Sequence, residues 1–321
     1  MSCFGILLAR DFTHSAFALF VDTLRLAGDE GDRSRRVSYD WRVLGDAGLP
    51  IRSSCGVEVL PTGAISDRHT FDRLVVVGGL LDRGGQLSSR MSAFVVHAAN
   101  SGIPLVGLCT GSFILAELGL LDGYRCAVSW FHIHAFRERF PHIDSSAEAL
   151  FMLDRDRATC SGGVGAADLA AHLVMADLGE QPAEKASRIL LLDRIRGVRD
   201  LQPAEPYAHA RSTVVRRALL LMEGNLQTPL GIAQVAQRLG ISPRLLQRQF
   251  VADIGISPLR AYQELRLRRA ESLARTPGRD IRDIAMDTGF EQPGQLRRTF
   301  RRLRGYRLAS TMVDRVDEAD R

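Results

Sequence analysis

The sequence predicts an α/β domain with a mostly parallel sheet, followed by a smaller all-α domain. Short apolar runs alternate with amphipathic stretches up to residue 196, and helical periodicity alone continues from residue 211. Between these parts, residues 197–210 are polar and contain two prolines, which is typical of a linker. We therefore predict domains at 1–196 and 211–310, with residues 311–321 as a tail.

The first domain consists of predicted strands that alternate with predicted helices. The strands are apolar runs at 4–8, 41–44, 74–77 and 105–108, and the helices are amphipathic stretches at 16–26, 88–99, 113–118 and 166–176. Such alternation favours a parallel sheet, because parallel neighbours need a crossover connection and a helix usually supplies it. We therefore expect one sheet with helices on both faces.

A sharp turn joins the fourth predicted strand to the helix that follows it. The chain runs Gly107-Leu108-Cys109-Thr110-Gly111, which has the shape of a nucleophile elbow with cysteine in place of serine. The two glycines permit the turn, and the start of the next helix stabilises a thiolate and offers backbone N–H groups to an anion. Cys109 is therefore a candidate for ligand contact or chemistry.

Residues 229–250 predict two short helices around a glycine turn. Gly240 can supply the left-handed turn, Ser242 is placed to cap the second helix, and Pro243 suits its first position. This arrangement is a helix-turn-helix. Its second helix presents three side chains suited to base edges and phosphates, Arg244, Gln247 and Arg248.

The same unit occurs again about 50 residues later. A long helix at 258–273 leads to a second short helix at 280–285, a turn at Gly289, and an arginine-rich helix at 295–303. The candidate DNA contacts of this helix are Gln295, Arg297, Arg298, Arg301 and Arg302. Because Pro293 and Gly294 fall near its start, where base-reading side chains are expected, we predict that these arginines bind mainly phosphates.

The positive charge of the chain is concentrated in its last third. The whole chain has a formal net charge of +5, yet residues 211–321 hold 21 arginines and 12 acidic residues, a balance of +9, and residues 1–210 carry −4. A basic helical domain suits nucleic acid. Arginine richness alone is weak support, because Lys185 is the single lysine among the 42 cationic residues.

The duplicated helical pattern resembles the AraC/XylS family of transcription regulators over residues 211–310. The matching segments are Ile232-Ala233 with Val235-Ala236, the run SPRLLQRQF from Ser242, Gly255 with Ser257-Pro258, the run RLRRAESL from Arg266, Ile281, Ile284-Ala285, Gly289-Phe290 and Phe300. The resemblance implies that two units joined by the long helix enter successive major-groove faces on one side of the DNA. Residues 304–308 depart from the family's usual FGxSP ending.

The first domain resembles the glutamine-amidotransferase-like domain of the DJ-1/PfpI superfamily. Besides the elbow, the matching segments are 24–27, 53–57, 75–79 and 159–163 with Asp168. Over residues 4–310 the chain is similar to AraC-family regulators that carry this domain, among them regulators of glycine betaine, carnitine and arginine catabolism. The resemblance implies a flavodoxin-like sheet and a small-molecule effector. Dimerisation is expected, since two linked DNA-binding modules gain effective concentration on adjacent sites.

The composition argues against several other classes. The chain has no run of about 18 apolar residues and no basic segment ahead of an apolar core, so we expect a soluble, cytoplasmic protein with no membrane partner. Its five cysteines are widely spaced and form no CxxC pair, so we expect reduced thiols, no metal site and no cofactor.

Enzymes with a cysteine elbow need a histidine to activate the thiol and an acid to orient the histidine. Thr110 stands where some relatives carry that histidine, and Ser129 stands where others have a histidine before a tryptophan. His132 and His134, on a strand-like segment, remain as substitutes. We therefore expect a ligand pocket without catalysis, with Trp130 suited to a cation and acidic side chains on the rim. The candidate contacts are Cys109, Thr110, Trp130, Phe131, His132, Asp11 and Asp22.

The sequence thus predicts a ligand-responsive transcription regulator and no enzyme. We expect an amine-like or amino-acid-like metabolite to change how the second domain engages promoter DNA, with RNA polymerase as a partner if the regulator is an activator, as most of the family are. Two alternatives stay open. One is a cysteine-dependent hydrolase or amidotransferase-like enzyme tethered to DNA, whose turnover would vanish in Cys109→Ala, and the other is a thiol redox sensor acting through Cys109 or Cys160.

Overall fold

The chain folds as two compact units, unit 1 (Met1–Gln202) and unit 2 (Pro203–Arg321). The computed structural model describes residues 1–31, 33–45, 49–65, 71–81, 87–198, 200–202, 210–274, 279–306 and 308. The predicted tail lies outside these residues, so its bounds stay a prediction.

Unit 1 is built from strands and helices that alternate along the chain. Its strands are β1 Ser2–Leu8, β2 Tyr39–Gly45, β3 Ile51–Arg52, β4 Glu58–Val59, β5 Gly63–Ala64, β6 Arg73–Val77, β7 Leu105–Leu108, β8 Arg125–Ala127, β9 Asp144–Ser146, β10 Phe151–Asp154 and β11 Arg157–Cys160. Its helices are α1 His14–Gly28, α2 Ser89–Asn100, α3 Gly111–Glu117, α4 Ile133–Arg139, α5 Gly165–Leu178 and α6 Glu180–Ile189.

Seven of the strands form the central sheet, in the order β10-β11-β7-β6-β1-β2-β5. All neighbours in it are parallel except β10 and β11, which form an antiparallel hairpin. From β1 the chain first adds β2 on one side and later adds β6, β7 and β11 on the other. The carboxyl ends of β1 and β6 therefore flank the topological switch point, where sheets of this kind bind ligands.

The two faces of the sheet bury alternate side chains of the same strands. Phe4, Ile6 and Leu8 of β1 pack in one core with α1, α5 and α6, whereas Leu7 packs in a second core with α2, α3 and α4. This alternation follows from the period of two along a strand, and burial on both faces is why these strands are continuously apolar. The predicted α/β sheet with helices on both faces is confirmed.

The start of the predicted linker, 197–210, folds onto unit 1. Leu201 forms an isolated antiparallel bridge with Ala149. The backbone N–H of Gln202 donates to Glu148 O over 2.9 Å, and its side chain is 1% exposed. A buried amide needs protein partners in place of water, and Gln202 finds them in unit 1. The structure therefore places the boundary after Gln202, later than the sequence analysis does.

The described secondary-structure elements of unit 2 are all helices, as predicted. Its helices are α7 Thr213–Glu223, α8 Ile232–Arg238, α9 Pro243–Ile254, α10 Pro258–Ala274, α11 Ile281–Asp287 and α12 Pro293–Arg304. The predicted local signals are present: Gly240 has φ +69°, the Ser242 hydroxyl accepts from Leu245 N over 3.2 Å, and Pro243 begins α9. No described helix of either unit is both long and apolar enough to cross a membrane.

Candidate functional site

Cys109 lies in the elbow between β7 and α3 with a left-handed backbone, φ +56°. A non-glycine residue in this region is strained by roughly 1–2 kcal/mol, so its surroundings must hold it there. The neighbouring backbone does so closely. A Cβ on Gly78 would lie 2.1 Å from the carbonyl carbon of Thr110, and a Cβ on Gly111 would lie 2.2 Å from Val76 O. Glycine is therefore required at both positions for β6 and the elbow to approach.

Loops from four strands meet at the thiol on the carboxyl edge of the sheet. After β1, Thr13 Oγ1 donates to Cys109 Sγ over 3.3 Å. After β7, Thr110 Oγ1 donates over 2.6 Å to the carbonyl of Gly79, which follows β6. After β11, Gly162 has φ +98°, and a Cβ on it would lie 2.9 Å from Cys109 Sγ. The half-buried thiol therefore sits beside the predicted crevice.

The β3–β4 hairpin pairs with the loop that follows β1. Phe12 makes isolated bridges with Ser53 of the hairpin and with Gly79. Asp11, with φ +55°, donates its backbone N–H to Arg52 O over 2.9 Å. Asp11 therefore lies in the loop between β1 and α1 that leads to Thr13.

Asp22 is not part of this arrangement. It lies on α1 nine residues after Thr13, which is about 13 Å along the helix axis. Its carboxylate accepts from Arg25 Nε over 3.1 Å and is 47% exposed. The structure therefore offers Asp22 a role in a surface ion pair of α1.

The predicted aromatic contacts form a chain of edge-on rings beside α3. The ring centroids are 5.8 Å apart for Trp130 and Phe131, 4.9 Å for Phe131 and His132, and 6.1 Å for His132 and Phe113. Phe113 lies on α3, four residues after Cys109. Burial lowers the pKa of His132, so its ring is held neutral among aromatic neighbours.

The prediction that His132 and His134 lie on a strand is wrong. His132 is the N-cap residue of α4, and His134 lies within that helix. Ile133 and Phe136 are its buried residues, at the i and i+3 spacing of a helix. The alternation His-Ile-His is too short to set a period, and the packing of this pair decides the conformation.

The surroundings of Cys109, Cys160 and Cys55 give the three thiols different reactivity. Among the described residues, the hydrogen bond that reaches Cys109 Sγ comes from the Thr13 hydroxyl, whereas a thiol nucleophile needs a basic partner. Cys160 is fully buried, which raises its pKa to about 12 and leaves it a poor redox centre. Cys55 is exposed, and hydrogen bonds from Ser53 and then from backbone N–H groups lower its pKa.

Two residues near the site were not singled out from the sequence. His14 begins α1 next to Thr13, and its Nδ1 is buried without a hydrogen-bond partner in the described structure. Gln202 accepts from Trp130 N over 2.9 Å and thereby fixes the start of the aromatic segment. The Thr-His pair at the start of α1 is a local signal that could have been noticed, whereas no local signal marks Gln202. No described group of three or more His, Cys, Asp or Glu residues could hold a metal ion.

The eight side chains of unit 2 that are predicted to contact DNA are all exposed. They are Arg244, Gln247 and Arg248 on α9, and Gln295, Arg297, Arg298, Arg301 and Arg302 on α12. Within the described part of the chain, none of the six arginines among them is paired with a carboxylate. Each helix is held by a leucine and a phenylalanine that are fully buried, Leu246 with Phe250 and Leu296 with Phe300.

The long helix α10 fastens both helix-turn-helix units to each other. Tyr262 Oη donates to Asn225 O over 2.6 Å in the loop before α8, and burial raises its pKa to about 12. One turn later, Arg266 donates to Thr288 O over 2.7 Å and stacks on Phe290 at 3.9 Å, in the turn after α11. In the sequence, Arg266 stands out only as part of an arginine-rich run. Its contacts give it a structural role.

Both parts of the chain match known families. Residues 6–171 match the DJ-1/PfpI family, and residues 235–312 match a family described as a helix-turn-helix domain. Three regulators align along most of their length. The HTH-type transcriptional regulator GbdR of Pseudomonas aeruginosa is 33% identical, covering 89% of this chain and 77% of the relative. CdhR of the same species is 32% identical, covering 93% and 88%, and GlxA of Rhizobium meliloti is 31% identical, covering 93% and 92%.

Solved structures agree with the sequence relatives. The crystal structure of an AraC family transcriptional regulator from Pseudomonas putida is 28% identical with a TM-score of 0.52, covering 59% of this chain and all of that one. A ThiJ/PfpI family protein from Pseudomonas syringae is 21% identical, with a TM-score of 0.51. The match covers 60% of this chain and 76% of that protein, and it shows only that the two share a fold.

Proposed function

This chain belongs to the AraC-type transcription regulators that carry a DJ-1/PfpI domain, and from that premise we propose that unit 2 binds promoter DNA sequence-specifically under the control of a small metabolite bound by unit 1. The observation that carries the proposal is the pair of exposed, arginine-bearing helices on one packed helical unit. Unpaired guanidinium groups on such helices suit phosphates and guanine edges.

The DNA contacts are divided between the two helices. On α9, Arg244, Gln247 and Arg248 contact base edges and neighbouring phosphates in the major groove. On α12 the contacts are Gln295, Arg297, Arg298, Arg301 and Arg302. Since Tyr262 and Arg266 fasten both units to α10, the two helices meet the DNA at a fixed spacing.

Unit 1 acts as the sensor, without catalysis. Its ligand lies against the elbow and the aromatic segment, in contact with Cys109, Thr110, Trp130, Phe131, His132 and Asp11. The threonine hydroxyl beside Cys109 supports a binding role, because it cannot take a proton from the thiol as a catalytic base would. By analogy with the family, the ligand is an amine-like or amino-acid-like compound. Asp22 does not contact the ligand in this proposal, because its carboxylate pairs with Arg25 on α1.

Regulation follows from a difference in ligand affinity between two states of the protein. We propose a cytoplasmic homodimer, in which two DNA-binding units gain effective concentration on adjacent sites, and activation of transcription through contact with RNA polymerase. This regulation does not require a covalent bond between the ligand and Cys109.

The DNA-binding part is tested by the affinity of the full chain for a promoter fragment, measured by fluorescence anisotropy with unrelated duplex as competitor. Arg244→Ala should weaken specific binding by about fivefold or more, because a bidentate arginine–guanine pair contributes about 1–3 kcal/mol. Arg188 is an exposed residue on α6 of unit 1, and Arg188→Ala is the matched control that should bind DNA like the wild type. Equal affinity for the promoter and the competitor would contradict the proposal.

A further inference from the structure

The two recognition helices correspond residue by residue at an offset of 50. Both have 12 residues, begin with proline and end before a glycine in the left-handed region, Gly255 at φ +74° and Gly305 at φ +80°. Their buried pairs also correspond, Leu246 and Phe250 in α9 with Leu296 and Phe300 in α12. Positions on their exposed faces can therefore be compared directly.

The first turns of the two helices differ at two positions, Arg244 of α9 against Gly294 of α12 and Leu245 against the exposed Gln295. The second residue of α9 is the exposed Arg244, whereas the second residue of α12 is Gly294. The first turn of a recognition helix is the part that contacts base edges in the major groove. The first turn of α12 therefore contains no arginine.

Arg298 supplies the missing side chain from one turn further along. Residues four apart lie on the same face of a helix, and long side chains lean back toward the N-terminus. Accordingly, Arg298 Nη1 lies 3.4 Å from the point that a Cβ on Gly294 would occupy. The guanidinium therefore lies over the first turn, at van der Waals distance from the place that a Cβ on Gly294 would take.

This guanidinium is exposed, and no carboxylate within the described residues pairs with it. Other arginines nearby are occupied: Arg304 bonds to Glu264 over 2.8 Å, and Arg279 bonds to Asp287 over 2.8 Å. Of the cations on α12, Arg301 and Arg302 lie in the last turn and suit phosphates.

We propose that Arg298, lying over Gly294, is a base-reading residue of the second helix-turn-helix and recognises a guanine in the major groove. It takes at α12 the place that Arg244 has at α9. The inference rests on the proposed sequence-specific binding to DNA, and it changes the expectation that the arginines of α12 bind mainly phosphates.

The test is selection of binding sites by the full chain from a random-sequence DNA duplex library, compared among variants. The wild type should select two boxes at fixed spacing, with a guanine preferred roughly fivefold or more at one base pair of the second box. Arg298→Ala should abolish that preference and leave the first box unchanged. Arg298→Lys should also relax it, because a lysine cannot form the bidentate pair.

Two further variants separate base readout from charge. Gly294→Glu should abolish the preference although Arg298 is still present, since a glutamate four residues before an arginine forms an ion pair with it on the helix. Arg301→Ala is the matched control. It should keep both boxes and weaken binding to every sequence alike. The slope of log affinity against log salt concentration should fall by about one.

An unchanged consensus in Arg298→Ala, with affinity lowered uniformly, would overturn the inference. A wild type that selects only the first box would also overturn it, because α12 would then read no base. If the wild type enriches no sequence at all, the proposed function itself fails, and this result is distinct from the other two. A thermal melt of each variant confirms that unit 2 is folded before its consensus is compared.

Discussion

The side chain of Gln202 forms three hydrogen bonds within unit 1, and its loss should destabilise that unit. Its side-chain N–H groups donate to Val128 O over 2.9 Å and to Ala149 O over 2.8 Å, and its oxygen accepts from Trp130 N over 2.9 Å. Gln202→Ala leaves three backbone groups without these partners, and each buried unsatisfied group costs about 1–3 kcal/mol. Allowing for a water molecule in the vacated space, we expect a loss of about 3 kcal/mol.

The assay is thermal unfolding of the full chain followed by tryptophan fluorescence. Both tryptophans, Trp41 and Trp130, belong to unit 1, so the signal follows that unit. For a unit of this size the expected loss corresponds to a Tm lower by about 6–12 °C. The Tm of Gln202→Glu should be lower still at neutral pH, because a buried carboxylate would face two carbonyl oxygens.

Gln181→Ala, on the exposed surface of α6, is the matched control and should change the stability by no more than about 0.5 kcal/mol. If Gln202→Ala melts within about 2 °C of this control, the buried amide does not hold the end of unit 1, and the account of this boundary is refuted.

Three more predictions concern the site. Gly162→Ala, which places a methyl group 2.9 Å from the elbow thiol at φ +98°, should cost more stability than Gly163→Ala, which meets open space at φ +54° and should cost about 1–2 kcal/mol; equal melts would contradict the close contact. Because burial lowers the pKa of His132, its contribution to stability is complete above about pH 6.5 and declines as the pH falls below that value, so His132→Asn should flatten the acid side of the stability profile, and parallel profiles would refute this. A thiol reagent followed by mass spectrometry should label Cys55 in the native protein, and Cys160 only after unfolding, since burial raises the pKa of the latter to about 12; native labelling of Cys160 would contradict its burial.

Features set by neighbouring residues could be predicted from the sequence. The caps and turns of the first helix-turn-helix depend on Gly240, Ser242 and Pro243, each of which acts within a few residues. The elbow at Cys109 is equally local, because the glycines around it permit the turn. The layers of the sheet follow from the alternation of apolar strands and amphipathic helices.

Features set by distant residues could not be predicted. Gln202 meets Trp130 across 72 residues, and Arg266 meets Thr288 across 22, and no periodicity in the sequence records either contact. The helix that begins after His132 was mistaken for a strand because tertiary packing, not the short alternation, decides it. The ion pair of Asp22 is different, because its partner Arg25 lies three residues further along the same helix and could have been noticed from the sequence.

The most direct test of the central claim is the affinity of the full chain for its selected DNA site, measured across a panel of quaternary amines, amino acids and related metabolites. The account predicts that one chemical class changes the Kd reproducibly and saturably, and that Trp130→Ala shifts the concentration needed without changing the Kd measured in the absence of ligand. Tight, sequence-specific binding that no compound alters would contradict a metabolite sensor in unit 1.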